Sequence, residues 1–486
     1  MHANVMSGVD AIRFLPEIIL TVLGTLLMVL DPLLRGRLRH LSGNLSLLGL
    51  AAAIAAAAYA SLYPGDAFSR LLVVDGFSTF FRLLVLAVGL FSVLAAYRFL
   101  DRERAATGEY HALILFALVG QCIMAGAADL IMVFIGLEIS SIASYVLAGY
   151  LRDDKRANEA ALKYFLLGSF ATAFLLYGVA LVYGLSGSTN LALVHSMPAG
   201  RGGDAFLMMA AAAGLIFVGL AFKVSGAPFQ IWAPDVYQGA PSPVSAFLSA
   251  GPKAAAFAVF LRVFLTAFSG LSDVWAPLIW TSALLSMLIG NFGALTQTNV
   301  KRILGYSSIA HAGYVLVALA AQSNTGTAAA MFYLAAYACM NAGAFAVVGH
   351  LSGKGERFLK VEDFSGLAQK QPFTAAMLTI FLLSLTGVPL TGGFFGKFYI
   401  FHAALQSHLG WLVVLGLLNS AVGAFYYLRI VAAMYMRQPG ESMEALEPLS
   451  LPLYAALFLP AAGTLILGIF PGAVLGFANE SAHLLR

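Results

Sequence analysis

Residues 214–253 combine apolar runs with helix-breaking residues and read GLIFVGLAFKVSGAPFQIWAPDVYQGAPSPVSAFLSAGPK. The run up to Phe222 is apolar enough for a membrane helix, but Gly226 and Pro228 interrupt it. Residues 227–240 are too polar for an uninterrupted span and too apolar for an ordinary loop. Non-helical backbone at membrane depth is tolerated only where it is buried in protein or lines a water-filled cavity. The segment therefore predicts a broken membrane helix.

The whole chain has the composition of a membrane protein. Of its 486 residues, 60% are hydrophobic and 10% are charged, and the mean hydropathy is +0.86. A soluble domain carries roughly 25% charged residues, so the composition argues against a soluble enzyme, a disordered protein and a nucleic-acid-binding protein. Cys122 and Cys339 lie apart in apolar segments, without the spacing of a disulfide framework or an iron–sulfur site. Since nucleotide-binding glycine motifs are also missing, we expect no redox cofactor in this chain.

Fourteen segments are long and apolar enough to cross a bilayer, which takes about 20 residues. They predict an all-α, polytopic membrane protein. A second break, at residues 391–393, follows the twelfth span, five spans after the break at the seventh. This spacing predicts five-helix repeats at 110–266 and 267–437, with three leading helices in 1–109 and a trailing helix in 438–486. The predicted spans are 14–34, 41–63, 75–98, 110–126, 129–151, 160–186, 205–226, 241–266, 273–296, 306–322, 326–352, 372–390, 409–436 and 449–475.

Positive charge is unevenly distributed between the connections, and this predicts the orientation. Sixteen Lys and Arg residues lie in connections after odd-numbered spans, and four lie on the opposite side. Because Lys and Arg are enriched in cytoplasmic loops, we expect odd-numbered connections to face the cytoplasm and both termini to face away from it. The sixteen are Arg35, Arg37, Arg39, Arg98, Arg102, Arg104, Arg152, Lys155, Arg156, Lys301, Arg302, Lys354, Arg357, Lys360, Lys370 and Arg437, and the four are Arg13, Arg70, Arg201 and Arg486.

The other seven Lys and Arg side chains fall inside spans or breaks. Three of them, Lys163, Arg262 and Arg429, lie towards span ends, where a long side chain can extend to the membrane surface. Arg82 lies deeper, in the first third of its span, and we interpret it as a structural ion-pair partner. The three that remain are lysines.

Lys223, Lys253, Lys397 and the carboxylate Glu138 lie in mid-span or beside the two breaks. An intramembrane charge costs at least about 2.5–3.5 kcal/mol on insertion scales, so this group implies a compensating function. Burial favours the neutral form of a lysine and a nearby carboxylate favours its charged form, so such a lysine can exchange protons. A charge beside a discontinuous helix is typical of a transport site. The alternative is that these charges form buried ion pairs that fix the helix packing.

Two histidines are further candidates for proton transfer. His311 lies in YSSIAHAGY, where the hydroxyl groups of Ser307, Ser308 and Tyr314 surround it in the sequence. Histidine titrates near neutral pH, so His311 is either a relay member or a packing residue. His402 is a weaker candidate of the same kind.

Six short motifs are distributed along the chain. They are LPEIIL at 15–20, GLEI at 136–139, FKVSGAPF at 222–229, WAPDVYQGAP at 232–241, GPK at 251–253 and GGFFGKF at 392–398. Together they resemble the antiporter-like membrane subunits of respiratory complex I. The resemblance extends along the whole chain, and the block at 222–241 is its most specific part.

The resemblance implies a fold and a set of roles. It implies fourteen helices with two inverted five-helix repeats, broken at helices 7 and 12. It also implies proton translocation driven by quinone reduction elsewhere in the complex. Glu138 would be the carboxylate that pairs with Lys223 on the seventh helix, Lys253 the central lysine on the eighth, and Lys397 the terminal residue on the twelfth. With His311, these residues would form a proton relay that is entered from the cytoplasmic side.

The resemblance also implies cofactors, partners and a location. The chain would be a non-redox subunit of a proton-translocating NADH:quinone oxidoreductase, with NADH, FMN, iron–sulfur clusters and quinone on other subunits. Its partners would be the other membrane subunits of complex I, especially neighbouring antiporter-like and small membrane subunits, and the lipid bilayer of the cell inner membrane. No nucleic-acid partner is expected. From the residues alone, a multisubunit cation/proton antiporter and a purely structural membrane anchor stay open as alternatives.

Overall fold

The computed structural model describes residues 8–34, 39–105, 107–195, 203–444 and 446–483. Four basic residues used above for the orientation, Arg35, Arg37, Arg201 and Arg486, lie outside the described residues. The described part of the chain is helical apart from one short hairpin.

The N-terminal region consists of three long helices and the hairpin, which pairs antiparallel with Gly65 opposite Val74. Asp75 begins the third long helix with a reciprocal capping box: its side chain accepts from the Ser78 amide at 2.6 Å, and the Ser78 hydroxyl accepts from the Asp75 amide at 2.9 Å. The elements are α1 (Gly8–Arg13), α2 (Leu15–Leu34), α3 (Arg39–Ala60), β1 (Gly65–Ala67), β2 (Leu72–Val74) and α4 (Gly76–Arg102).

The next region contains the first helix break, between α9 and α10. The elements are α5 (Gly108–Gly126), α6 (Leu130–Ala148), α7 (Lys155–Ser186), α8 (Leu191–His195), α9 (Asp204–Val224), α10 (Trp232–Gly239) and α11 (Ser242–Arg262), which a π-helical turn (Val263–Ala267) extends.

The remaining region contains the second break, between α16 and α17. After a 3-10 turn (Ser269–Leu271), the elements are α12 (Ser272–Leu295), α13 (Val300–Ala320), α14 (Asn324–Leu351), a 3-10 turn (Val361–Phe364), α15 (Leu367–Lys370), α16 (Pro372–Thr386), α17 (Gly392–Gln406), α18 (Gly410–Met436), α19 (Glu441–Glu444), α20 (Leu451–Ile469) and α21 (Gly472–His483).

The predicted all-α polytopic fold is confirmed. In the described residues, twelve helices are long and apolar enough to cross a membrane. The 20-residue α2 and the pair α16–α17, with 15 residues each, account for the two other predicted spans. Both predicted breaks are present, at 225–231 and 387–391. The second break begins with Gly387, whose φ of +95° is strained for any residue with a Cβ.

The helices differ sharply in how much of their surface other helices cover. In α11 and α13, 94% of the apolar window is buried within the protein, and in α14 the share is 89%. In α7 the share is only 33%, and in α3 and α18 it is 39%. The helices α11, α13 and α14 therefore form the centre of the bundle, and two of the singled-out residues, Lys253 and His311, lie on them.

Contacts between connections agree with a regular alternation of the spans. After the second and sixth predicted spans, Asn190 Nδ2 donates to the Arg70 carbonyl at 3.0 Å, so these connections share one end. After the fifth and eleventh spans, Arg156 donates to the Gly355 carbonyl at 2.9 Å. Two connections after even-numbered spans thus contact each other, and so do two connections after odd-numbered spans.

Candidate functional site

The break between α9 and α10 is stabilised by polar side chains. Ser282 on α12 donates to the Ala227 carbonyl at 2.6 Å, and the Ala227 amide donates to Ser286 Oγ at 2.8 Å. Trp232 Nε1 donates to the Phe222 carbonyl at 2.9 Å. The backbone groups that the break frees are therefore satisfied inside the protein, as the absence of water in a membrane core requires.

Lys223 lies at the end of α9 beside this break, and only 7% of its surface is exposed. Its ammonium donates to Ser141 Oγ at 2.6 Å and to the Tyr145 hydroxyl at 3.1 Å, both on α6. It also lies 5.0 Å from the ring centroid of Tyr145 and 5.5 Å from that of Tyr164. Hydroxyl groups and aromatic faces thus stabilise the charged form of this buried amine.

Glu138 does not form the ion pair with Lys223 that the resemblance implied. Within the described residues, no carboxylate oxygen comes within 4.0 Å of the Lys223 ammonium. Glu138 lies on α6 one turn before Ser141, is half-buried, and its Oε1 has no hydrogen-bond partner. The amine reaches the hydroxyls of the following turn instead.

A small cavity lies between Lys223 and α11. Its volume is about 10 Å³, and its lining includes Ser140, Ser144, Lys223 and Pro252. A space of about this size holds a single water molecule when polar groups line it. The cavity therefore lies between Lys223 and the segment of α11 that carries Lys253.

Lys253 directly follows Pro252 in the middle of α11 and is 2% exposed. Its ammonium donates to the Ser308 carbonyl at 3.0 Å and to the Ser308 hydroxyl. No carboxylate among the described residues pairs with it. Lys253 is thus a buried amine held by one serine of α13.

His311 follows Ser308 by one turn of α13 and is 3% exposed. Its Nδ1 contacts the Tyr333 hydroxyl, and its Nε2 lies 3.0 Å from the Tyr427 hydroxyl, which also contacts Ser307. Both ring nitrogens therefore have a hydroxyl partner, which is the arrangement that a proton relay needs and that a purely apolar packing position lacks. By contrast His402 is exposed.

Lys397 lies on α17 just after the second break and is 7% exposed. Its ammonium donates to the carbonyls of Leu385 and Thr386 at 2.9 Å each and to Ser420 Oγ at 2.8 Å. The two carbonyls belong to the end of α16, where no following helical turn can use them. The break therefore creates the site that holds this lysine.

The three lysines and His311 form a row through the bundle. The cavity connects Lys223 to α11, Ser308 connects Lys253 to the helix of His311, and Tyr314 lies between His311 and Lys397. The ring centroids of Tyr314 and His311 are 5.6 Å apart, and the Lys397 ammonium lies 4.9 Å from the Tyr314 centroid. The structure thus brings together four of the five predicted residues, with Glu138 beside the row.

Comparison with known proteins assigns the family. Residues 127–423 match the family described as NADH:quinone oxidoreductase/Mrp antiporter, TM. The NADH-quinone oxidoreductase subunit N 1 of Solibacter usitatus is 68% identical over 477 residues, which is 98% of this chain and 98% of that protein. The chain belongs to the subunit N family of NADH-quinone oxidoreductase.

Solved structures contain chains of the same fold. A chain of respiratory complex I from Thermus thermophilus is 36% identical and superposes with a TM-score of 0.80 over 97% of this chain and 99% of that one. A chain of the Mrp complex from Dietzia sp. has a TM-score of 0.87 over 99% of this chain and 98% of that one, but only 22% identity. The second match shows a shared fold alone.

Most other intramembrane cations in this subunit N family member are paired. The predicted role of Arg82 is confirmed, since its guanidinium lies 2.8 Å from the buried Glu17 carboxylate. The prediction that Arg262 extends to the surface is wrong: it is 8% exposed and bonds both oxygens of Asp75, at 2.9 and 3.0 Å. The capping carboxylate of α4 provides a closer partner than the surface does.

Lys163 and Arg429 find partners near the ends of their helices. Lys163 is 42% exposed and lies 2.8 Å from both Glu159 and Asp235. Arg429 donates to the carbonyl of Gln297. Neither residue belongs to the row.

Several side chains that contact the row were not predicted from the sequence. They are hydroxyl groups on helices distant in sequence: Ser141 and Tyr145 at Lys223, Tyr333 and Tyr427 at His311, and Ser420 at Lys397. A hydroxyl inside an apolar helix could have signalled them, because a polar group in a membrane needs a partner, but that signal does not name the partner. In the part of the chain that the structure describes, no group of His, Cys, Asp and Glu side chains could hold a metal ion.

Proposed function

We propose that this chain is a proton-translocating membrane subunit of NADH:quinone oxidoreductase. Protons move along the row through Lys223, Lys253, His311 and Lys397, and Glu138 adjusts the charge of Lys223. The observation that carries the proposal is the row itself: three buried amines with hydroxyl and carbonyl partners, none of which has a carboxylate of the described residues within salt-bridge distance. Buried cations that serve packing alone would be expected to pair with carboxylates, as the Arg82 guanidinium does with Glu17.

Each residue in the row has a distinct role. Lys223 takes up or releases a proton while Ser141 and Tyr145 keep its amine solvated in either state. Lys253 passes charge to the helix of His311, whose two hydroxyl partners allow the proton to arrive at one ring nitrogen and leave from the other. Lys397 ends the row.

Energy for translocation must come from outside this chain. Moving one elementary charge against 100 mV costs about 2.3 kcal/mol, and the residues of the row supply no redox chemistry. We assign NADH, FMN, iron–sulfur clusters and quinone to other subunits, as the resemblance to complex I implies; the Solibacter usitatus relative is likewise one subunit of an NADH-quinone oxidoreductase. The chain is thus a non-redox subunit of the translocase, packed against neighbouring antiporter-like and small membrane subunits.

Location and internal organisation complete the proposal. The chain is a multi-pass protein of the cell inner membrane, with both termini on the non-cytoplasmic side, as the distribution of Lys and Arg supports. Residues 110–266 and 267–437 are inverted repeats, since each contains a break with a lysine beside it. Residues 1–109 contribute the leading helices and 438–486 the trailing one.

The test is the rate of proton pumping by the assembled complex in sealed vesicles, measured together with coupled NADH:quinone turnover, which should fall with it. We expect Lys223→Ala to lower pumping at least about tenfold, because positioned proton-transfer groups contribute about 10²–10⁴-fold. Lys223→Arg should not restore it, because arginine does not release its proton in this pH range. Lys370→Ala, at an exposed lysine of the same chain, is the matched control. Undiminished pumping by both Lys223 variants would refute the relay.

A cation/proton antiporter is the second candidate function. The description of the matched family names the Mrp antiporter beside NADH:quinone oxidoreductase, and the Mrp chain has the same fold. The two functions differ in their energy source. For an antiporter, a sodium gradient alone should move protons across the vesicle membrane in the absence of NADH. For the proposed function, only NADH oxidation should do so.

A further inference from the structure

Gln121 is a fully buried amide in the middle of α5, and none of its surface is exposed. One end of the amide donates from Nε2 to Ser140 Oγ at 3.3 Å. Its other end, Oε1, has no hydrogen-bond partner among the described residues. A buried polar atom without a partner is destabilising, so the protein keeps this amide at a cost in stability.

The unpartnered end of the amide faces α11 at Gly251. A Cβ on Gly251 would lie 2.7 Å from Gln121 Oε1, closer than real contacts allow. A Cβ at this position would therefore push the amide oxygen aside. Gly251 is followed directly by Pro252 and Lys253, so the amide meets α11 next to the central amine of the row.

The other end of the amide adjoins the cavity beside Lys223. Ser140, which accepts the bond from Gln121, lines this cavity together with Lys223 and Pro252. The cavity volume of about 10 Å³ is at the lower limit of what one water molecule needs. Gln121 thus extends from the wall of the Lys223 cavity to the segment of α11 that carries Lys253.

We propose that Gln121 is a positioning residue that orients the water or hydroxyl through which a proton passes between Lys223 and Lys253. An amide donates through its nitrogen and accepts through its oxygen at the same time, and it does not titrate. In the transfer, the Lys223 ammonium gives a proton to the cavity water, and that water gives another of its protons to the Lys253 amine. Lys223 becomes neutral, Lys253 becomes charged, and the water is unchanged. The inference rests on the proposed function.

The test uses the assembled complex in vesicles and two substitutions that remove the amide. Gln121→Met keeps the length of the side chain and removes its polar groups. We expect the rate of pumping to fall about 2- to 10-fold, as the loss of one hydrogen bond from the transfer step would cause. Because the slowed step is proton transfer, the turnover of this variant should also slow more in heavy water than that of the native complex. Gln121→Glu keeps an acceptor oxygen but loses the nitrogen donor and gains a group that titrates, so we expect it not to restore native pumping.

Gly251→Ala displaces the same amide without changing it, and we expect a similar fall in pumping. Gly214→Ala is the matched control, because a Cβ at Gly214 would meet no atom within 4 Å. The double variant Gln121→Met with Gly251→Ala should show less than the sum of the two losses, since both act on one contact.

The outcomes separate this inference from the proposed function. Native pumping and a native heavy-water effect in Gln121→Met and Gly251→Ala, where Lys223→Ala is defective, would overturn the role of Gln121 alone. Native pumping in Lys223→Ala would overturn the proposed function. If either Gln121→Met or Gly251→Ala fails to assemble, the other variant decides.

Discussion

Lys301 and Glu356 form an ion pair at 2.7 Å that is almost completely shielded from solvent, with 0% and 5% of their side chains exposed. Glu356 also accepts from the Ser242 amide at 2.9 Å, and Lys301 donates to the Ala240 carbonyl. The pair therefore connects the loop after α14 to the end of α10 and the start of α11, the helix of Lys253.

Breaking this pair should destabilise the protein. Glu356→Gln leaves the Lys301 ammonium buried without its carboxylate, which typically costs about 3–5 kcal/mol. The measurement is unfolding in detergent, compared with Glu362→Gln at an exposed glutamate of the same region. Adding Lys301→Met to Glu356→Gln should recover part of the loss. Equal stability of Glu356→Gln and Glu362→Gln would contradict the expectation.

The pair of Arg82 and Glu17 should matter for stability but not for transport. It lies outside the row, and its side chains are 2% and 0% exposed. Glu17→Gln should lower the free energy of unfolding by about 3–5 kcal/mol, while pumping per assembled complex stays at the native level. Glu109→Gln, at a side chain that is 48% exposed, is the control for stability. A pumping defect in complexes that contain Glu17→Gln would show that the pair belongs to the proton path.

The second break should tolerate no side chain at Gly393. A Cβ there would lie 1.9 Å from the Ser384 carbonyl oxygen, so α17 would have to separate from α16. Gly393→Ala should reduce the amount of assembled complex and its pumping, because the clash is between backbone and side chain and cannot relax by rotation. Gly410→Ala, where a Cβ meets nothing within 4 Å, should behave as native. The readouts are complex yield and the rate of pumping.

Tyr427 should be needed for transfer at His311. Its hydroxyl lies 3.0 Å from His311 Nε2 and also contacts Ser307. Tyr427→Phe removes one hydroxyl and leaves the ring, so assembly should persist while pumping falls about 2- to 10-fold, as for the loss of one hydrogen bond. Tyr435→Phe on the same helix, at a residue that is 46% exposed, should have no effect. Native pumping by Tyr427→Phe would exclude its hydroxyl from the path.

The contact between Arg98 and Glu447 predicts a pH dependence of stability outside the membrane core. The bond from Arg98, at 2.7 Å, lowers the pKa of Glu447 below its ordinary value of 4.5, although partial desolvation opposes this. Since the folded pKa is the lower one, the stabilisation is present above pH 4.5 and is lost as the pH falls through the folded pKa.

Unfolding of the native protein and of Glu447→Gln at two pH values checks this dependence. At neutral pH the native protein should be more stable by at most about 1 kcal/mol, because both side chains are partly exposed. At a pH below the lowered pKa of Glu447 the difference should be gone. A difference that persists in acid would mean that the ion pair is not its source.

The fold could be predicted from the sequence to a large extent, because spans and breaks are local properties. The apolar runs locate the helices, and Gly226, Pro228 and the glycines at 392–393 locate the two breaks. The three lysines of the row could also be predicted, because a lysine in the middle of a membrane span is energetically costly and is therefore rare without a function.

The partners of the row could not be predicted, because they come from helices far apart in sequence. In the sequence, Tyr333 and Tyr427 cannot be distinguished from the many other aromatic residues of the chain. Only the packing of the helices shows that they contact His311. The burial of Lys301 was missed for the same reason: its position in a connection indicates a solvated charge, whereas Glu356 binds it inside the protein. Glu138 shows the opposite case, in which a pairing implied by resemblance is replaced by contacts with nearer hydroxyls.

The two breaks hold their lysines by different kinds of atom, and this affects the speed of each site. Lys223 contacts side-chain hydroxyls, which reorient by rotation about a single bond. Lys397 contacts the main-chain carbonyls of Leu385 and Thr386, which move only when the end of α16 bends. Collective helix motions take about microseconds to milliseconds, far longer than side-chain rotations. Since these carbonyls cannot follow the ammonium, Lys397 has to leave them by rotation of its own side chain, whereas at Lys223 the partner hydroxyls can turn as well.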